Sequence, residues 1–581
     1  VLILLAAAAL RAHRLDHVPL RGDEAFTARF WAADPRQTWD DLAPIEPHPY
    51  GVFVLFWAWK GLAGESEFSL RALPLLVNLL GVAVIYAWGR RILPQAKHAW
   101  LLAVLWAVNP FQIWHAQDLR NYALWAALSP LAALFFWQAL KTNQRRTWAL
   151  YGFTLSLSCY VFLLEPFFWL VQGIYLALYA RERWRPALLT WALVALSLTP
   201  LLIQGIHLAG SGYEGTATRL SLSALVSEFL PTLLFGEGRT SWLVGLGLGL
   251  VLAWGLWRGR GPAHERAWLA LWLFLPLLLL TLFATQMSIF RPRYVIPLAA
   301  PLLLSLFYIL GGARARGPFA YGAAAVLGGT AALSLYSYFY LDPPKAPDWR
   351  SLAAFISRRD SPGDLIILGN VDPAFEYYYQ GPAEVRPWSD VGDPAALLQT
   401  YTGIFVQQGD STAALSQYLQ AEAQFIPPAV AVVKYYRPWE AEAAEIAQAM
   451  TLQLGDVARL RGYRLLGGDA WGLTLLLYWE PLRQTDLASE GEMVGFLHIP
   501  HPSGAGLLAQ DDHPPLNGNA PTSLWLPGDL LRDAFYVQLG PGVYELVVGM
   551  YAAQDGRVLP ILNEQGQEVV SPYPLARVEI E

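Results

Sequence analysis

The spacing of apolar residues constrains this chain more than any other feature. From Val1 to about Tyr340 they come in runs of 16 to 23 residues, and beyond it in short groups that alternate with polar ones. A helix of about 20 apolar residues crosses a hydrocarbon core of roughly 30 Å. The first part of the chain therefore reads as an α-helical polytopic membrane protein, and the rest as an extramembrane tail. Runs near 68–90, 98–114, 119–140, 147–164, 166–180, 187–206, 241–258, 266–285, 294–311 and 318–339, with the first segment, give about eleven transmembrane helices. Residues 49–62 are also apolar, but that stretch suits an interfacial helix better than a span. Val1–Leu10 supplies ten apolar residues, about 15 Å of helix. That is half a span, so the first helix is expected to begin before Val1. No basic leader or small-residue cleavage site marks the segment as a signal peptide.

Lys and Arg set the expected orientation. One set of connecting loops carries fourteen of them and the alternate set five. The richer set is expected in the cytoplasm. That parity leaves 49–62 unspanned, and it places the first long loop and the whole tail outside the cell membrane. The net charge of −6 comes without a basic stripe, so nucleic acid is not an expected partner. The single cysteine, Cys159, lies inside an apolar run, which leaves the tail without disulfides. In the tail, 341–450 mixes helix and strand signals, as a small α/β domain does. Asp348–Ile356 reads as a helix, Leu365–Leu368 as a buried strand and Ala429–Tyr435 as another, followed by a helical Glu/Ala run. From 451 to 581 the period becomes two, in segments such as Leu473–Trp479, Phe535–Leu539 and Tyr544–Tyr551, as expected of a β-sandwich. The domains expected are thus 1–340, 341–450 and 451–581.

Residues able to carry chemistry gather at the outer ends of the helices. Asp23 and Glu24 follow the first span and open a short amphipathic helix that runs to Ala33. Asp23 either caps that helix or serves as a base at the membrane face, and one residue can do both. Glu46 and His48 flank Pro47, with Pro49 next, so the strip is extended and both side chains can point one way. Such a pair orients an acceptor or binds a divalent cation, Mg or Mn, unless it is only a polar turn. Asp118, Arg120 and Tyr122 lie at one outer helix end, and Arg291, Arg293 and Tyr294 at another. Arg and Tyr there are either interfacial anchors or a clamp for a lipid phosphate. A base for an acceptor hydroxyl beside cations for a leaving phosphate suits transfer of a sugar from a polyprenyl phosphate.

With those pieces in order, the chain resembles the membrane-embedded GT-C glycosyltransferases, in the branches of the protein O-mannosyltransferases and the lipid A aminoarabinose transferase. The matching segments are Asp23-Glu24, Glu46-Pro47-His48-Pro49, Gly64 to Arg71, Gln117 to Tyr122, Arg293-Tyr294 with Pro297 and Pro301, and Pro347 to Arg350. The family's usual His-Pro-Pro is here His48-Pro49-Tyr50, and its Glu before the Arg is Asp118. The resemblance implies an inverting transferase of the bacterial cytoplasmic membrane. Its donor would be a polyprenyl-phosphate sugar, its acceptor a glycan, protein or lipid, and its base Asp23. Glu24 joins Asp23 as a candidate catalytic acid, with Arg120, Arg293, Tyr122 and Tyr294 as phosphate ligands and Asp118 as a supporting acid. Two rival readings stand beside it. One is a lipid-linked-sugar flippase, which needs charges deep along a path. The other is a membrane-anchored glycan-binding assembly protein that acts through the β-sandwich.

Overall fold

Helix Glu67–Ile92 shows how sequence becomes structure in the membrane part. Ser66 caps it by accepting from the Ser69 N–H, and Arg90 and Arg91 close its last turn. Its 26 residues rise about 39 Å, enough to cross a bilayer with a tilt. Two of its glycines sit where another helix comes close. A Cβ on Gly81 would meet the Trp106 ring at 2.7 Å, and one on Gly89 would meet Ala99 Cα at 2.9 Å. Helix Ala96–Ala107 therefore lies directly against it. Rings fill the core beside them: Trp88, Trp137, Trp268 and Trp272 are buried together with centroids 5.0 to 6.0 Å apart.

The structure is a computed structural model. It describes the chain except residues 94, 214–216, 239–240, 260, 312–316, 343–344, 361, 392–396, 398–399, 402, 408–419, 426–432, 438–440, 442, 470–471, 505, 519 and 581. It forms two compact units, Val1–Lys345 and Ala346–Glu581. Among the described residues, five helices are long and apolar enough to cross a membrane: Glu67–Ile92, Tyr122–Thr142, Ala263–Phe283, Pro292–Leu310 and Phe319–Tyr340. A pair bent by 56°, Arg181–Ser197 with Thr199–Gly210, makes six if counted as one span. The expected count of eleven is not reached by length, because several apolar runs are broken. The 98–114 run stops at Ala107 and restarts at Pro110, where Asn109 caps the new helix. The 147–164 and 166–180 runs become helices of 17 and 15 residues. Tyr50–Ala63 is a helix of 14 residues, about 21 Å long and too short to span. Helix Leu222–Phe235, with a wider turn at its middle, lies in a loop that carried no prediction.

Polar groups also hold the bundle. Arg11 is fully buried and donates to Asn78 Oδ1 at 2.9 Å and to the carbonyls of Ala7, Trp106 and Ala107. Asn78 passes the chain of bonds to Gln112 at 3.1 Å. Four helices are tied by groups that would be costly to leave unpaired away from water.

The second unit begins with helix Trp349–Ser357, capped by Asp348. A five-stranded sheet follows in the order Glu384–Pro387, Leu365–Leu368, Ile404–Gln407, Val433–Arg437, Gln420–Phe425, parallel among the first three. Of the predicted strand Ala429–Tyr435, residues 429–432 lie outside the described ones. In its described part the Glu/Ala run expected as a helix is instead a short turn, Ala443–Glu445, and a strand, Gln448–Leu454, with residues 440 and 442 outside the described ones. Pairing with Ala458–Asp469 outweighs its helix propensity. The remaining strands form antiparallel sheets of six and four. Leu475, Leu477 and Trp479 of one and Leu497, Leu546 and Met550 of the other belong to one hydrophobic cluster. The C-terminal region is thus β-rich.

The tight crossing at Gly89 gives a test. Gly89→Leu forces a side chain into Ala99, and we expect a loss of about 1–3 kcal/mol, read as a lower unfolding temperature in detergent. Gly61→Leu, where a Cβ meets nothing within 4 Å, serves as the control.

Candidate active site

The first loop is organised around two buried ion pairs. The helix that carries the acids begins at Gly22, and the Arg21 backbone N–H donates to Glu24 Oε2 at 3.1 Å. The capping role that the sequence offered to Asp23 therefore belongs to Glu24. Glu24 is fully buried, and Arg71 donates to both of its oxygens at 2.8 Å. The Leu119 N–H adds a third partner at 2.8 Å. Burial alone would raise the Glu24 carboxyl, but Arg71, Lys345 and Arg21 outweigh it and hold the group well below the ordinary range. Arg71 also donates to the carbonyls of Leu15, Val18 and Pro19. Arg21, one turn away, grips the buried Asp118 with Nη2 2.8 and 2.9 Å from its two oxygens.

Asp23 is built differently. Its side chain is 47% exposed, and the nearest cation, Arg21 Nη2, is 3.9 Å away. Partial burial works to raise its carboxyl. Arg120, Arg21 and Arg293 more than offset this and keep it below the usual carboxylate value. Asp23 is thus an ionised carboxylate that solvent or a substrate can reach.

His48 stands on the other side of the loop. Its Nδ1 is bonded to Glu46, and Arg120 Nη2 lies 3.3 Å from its Nε2. A guanidinium only donates, so Nε2 is the acceptor and Nδ1 carries the proton. Burial and the Arg120 charge lower the imidazole further than Glu46 and Asp23 raise it, which keeps it neutral. Gln204 fixes the strip from the bent helix pair, donating to the His48 carbonyl at 2.8 Å and accepting from the Tyr50 N–H at 2.8 Å. These contacts do not fit the divalent cation expected at Glu46 and His48. Both ring nitrogens are engaged, and a guanidinium occupies the direction a metal would take. Among the described residues no group of three or more His, Cys, Asp or Glu is placed to hold an ion.

The remaining expected residues divide by burial. Arg120 lies over the Trp31 ring at 3.9 Å and donates to Thr27 Oγ1 at 2.9 Å and the Asp23 carbonyl at 3.2 Å. It holds the acid-bearing helix from beneath. Arg293 sits over Tyr122 and Tyr294 at 5.3 and 5.5 Å, and its buried Nε has no hydrogen-bond partner among the described residues. Arg293, Arg291 and Arg21 line a cavity of about 500 Å³ with Thr232, Glu228 and Glu237. Beside it, Pro47, His48, Phe162, Leu164, Phe283 and Tyr294 line an apolar cavity of about 230 Å³.

The sequence reading missed several members of the site. Arg21 and Arg71 stand inside motifs already quoted, but no pattern separates a gripping arginine from an anchoring one. Glu237 lies on an unremarked loop, its Oε1 3.3 Å from the buried His115 Nε2. Lys345 donates to the Gln117 carbonyl at 2.6 Å, and burial pushes its amine down to about 8 against the pull of Glu24 and Asp118.

No family model matches the sequence, and no curated protein does. Solved structures do match by shape. ArnT from Cupriavidus metallidurans in the apo state superposes with a TM-score of 0.52 at 16% identity, over 75% of this chain and 97% of that one. The same protein bound to undecaprenyl phosphate gives a TM-score of 0.51 at 15% identity, over the same shares. The chain has the GT-C fold. At this identity the likeness carries the fold alone, and the site rests on its own geometry.

Breaking one buried pair tests the architecture. Arg71→Leu leaves Glu24 charged and sealed, and we expect a loss of about 3–5 kcal/mol, seen as a lower unfolding temperature. Asp23→Asn, at a half-exposed position, should melt with the wild type.

Proposed function

We propose that this GT-C chain is a membrane glycosyltransferase. It moves a sugar from a polyprenyl-phosphate donor to an acceptor hydroxyl, with inversion, on the outer face of the cytoplasmic membrane. The observation that carries this reading is the exposed Asp23 carboxylate set among Arg21, Arg120 and Arg293, beside a cavity that Arg21, Arg291 and Arg293 line. A structural neighbour bound to undecaprenyl phosphate adds support for the donor class. In this reading Asp23 takes the proton of the acceptor hydroxyl as its oxygen bonds to the anomeric carbon. The bond from that carbon to the phosphate oxygen breaks on the opposite face, and the electron pair leaves with the phosphate. Arg21, Arg291 and Arg293 stabilise the charge that develops there. Phosphate leaves without protonation, so one base suffices, unlike the paired carboxyls of glycoside hydrolysis.

Glu24 and Asp118 act as positioning residues in this scheme. Glu24 is sealed against Arg71, and Asp118 orients Arg21. Neutral His48, backed by Glu46, faces the same loop and orients the acceptor. No step passes through a metal. The loop charges support an extracytoplasmic reading of the chain beyond residue 345.

Sugar release from a panel of polyprenyl-phosphate sugars, in nanodiscs, tests the proposal. Asp23→Asn should lower turnover by about 10²–10⁴-fold with donor binding kept. Equal turnover in both proteins would remove Asp23 as base. The pH profile gives a second check. A base must be deprotonated, and Asp23 titrates below the ordinary value. Turnover should therefore fail at a lower pH than an unperturbed Asp would give. Arg293→Gln removes one of the cations responsible, so its acid limb should move upward. Treatment with EDTA should leave turnover unchanged, and a loss restored by Mg or Mn would overturn the metal-free reading.

A further inference from the structure

Away from the candidate active site, helices Arg145–Val161 and Trp184–Ser197 enclose a groove of about 630 Å³. Trp148, Ala149, Phe153, Leu189 and Leu193 make its walls largely apolar, and Arg145 stands at one end. The helices touch at Gly152, where a Cβ would come within 2.9 Å of Thr190 Cγ2. At the end away from Arg145 they are bridged by Ser156 Oγ to Ser197 Oγ at 2.9 Å, and by the Tyr160 hydroxyl donating to the Ser197 carbonyl at 2.6 Å. The groove therefore runs over the helix contact, tied at one end by these bonds and flanked at the other by Arg145.

The Arg145 end of this slot is strongly basic. The two loops there carry Lys141, Arg145, Arg146, Arg181, Arg183 and Arg185 against one acid, Glu182. Arg183 Nε donates to the Leu140 carbonyl at 3.2 Å, which joins the two loops into one rim. Arg145 and Arg146 are exposed, and among the described residues no carboxylate pairs with them. The length of the slot is informative. From Arg145 to Ser156, and from Pro186 to Ser197, each wall rises eleven residues, or about 16 Å. That matches one leaflet, half of a hydrocarbon core of roughly 30 Å.

We propose that this slot holds one anionic glycerophospholipid, with an acyl chain lying along the groove over the helix contact and its phosphate on Arg145 and Arg146. The slot is one leaflet deep and tied at its far end, which suits an acyl chain rather than the longer chain of a polyprenyl carrier. The cationic rim selects the headgroup. The inference stands apart from the proposed transferase activity, because none of these residues touches that site.

Native mass spectrometry of the delipidated full chain, titrated with phosphatidylglycerol or phosphatidylcholine, tests it. Wild type should retain one phosphatidylglycerol with a preference of roughly tenfold or more. Arg145→Gln with Arg146→Gln should abolish the preference. Ala149→Trp, which fills the slot, should weaken both lipids while the unfolding temperature stays near that of the wild type. Equal retention of the two lipids by wild type would overturn the proposal. So would a preference that survives both variants, or displacement of the lipid by an equal concentration of undecaprenyl phosphate.

Discussion

The Arg71–Glu24 pair is the contact on which the site depends. Both side chains are fully buried, and between them they reach the first loop at Leu15, Val18, Pro19 and Arg21 and the next external turn at Leu119. A charge away from water must be matched by an opposite charge and a full set of hydrogen bonds. Here that requirement fixes the loop to one place on helix Glu67–Ile92. Remove either partner and the other becomes an unpaired buried ion, so the loop has no comparable alternative position. Asp23 inherits its location from this lock.

Helix geometry explains why two adjacent acids do different work. Consecutive residues on a helix point about 100° apart, so Asp23 and Glu24 cannot share an environment. Glu24 turns inward to Arg71, and Asp23 turns outward with nearly half of its side chain exposed. Both carboxyls are held below their ordinary pKa by sets of cations that share only Arg21: Arg71, Lys345 and Arg21 for Glu24, and Arg120, Arg21 and Arg293 for Asp23. The same division runs through the arginines. Arg71 spends its donors on the protein itself, Arg21 grips Asp118 while it lines a cavity, and Arg291 and Arg293 line that same cavity.

Much of this was legible in the sequence. Apolar run length located the long helices. Period-two patterning found Gly472–Pro481 and Gly542–Ala552 as strands. The acid-rich loop, the Glu46-Pro47-His48 strip and the Arg293 segment were all marked as sites. What sequence could not resolve was direction and commitment. Asp23 and Glu24 look alike as letters, and only the fold shows which is sealed. Glu46 and His48 look like two metal ligands until Arg120, more than seventy positions away, is found against the ring. Run length also overstates helix length. A break at Asn109-Pro110, or a 56° bend before Pro200, leaves the apolar composition unchanged and shortens the helix.

The pattern of neutrality around His48 bears on how such a site can work without an ion. In the proposed reaction a metal would supply positive charge to the leaving phosphate, but it would also compete for the carboxylate assigned there to take the acceptor's proton. Guanidiniums divide the task differently. They donate hydrogen bonds in fixed directions, carry their charge at any physiological pH, and leave the Asp23 oxygens uncoordinated. Arg120 adds a second effect by keeping His48 unprotonated, so the loop presents a neutral donor–acceptor ring next to an ionised acid. A protonated His48 would draw Asp23 into an ion pair and leave it a poorer base. The arginine beneath the loop thus acts on both groups: it keeps the imidazole neutral, and its charge is the leading one that holds the Asp23 carboxyl ionised.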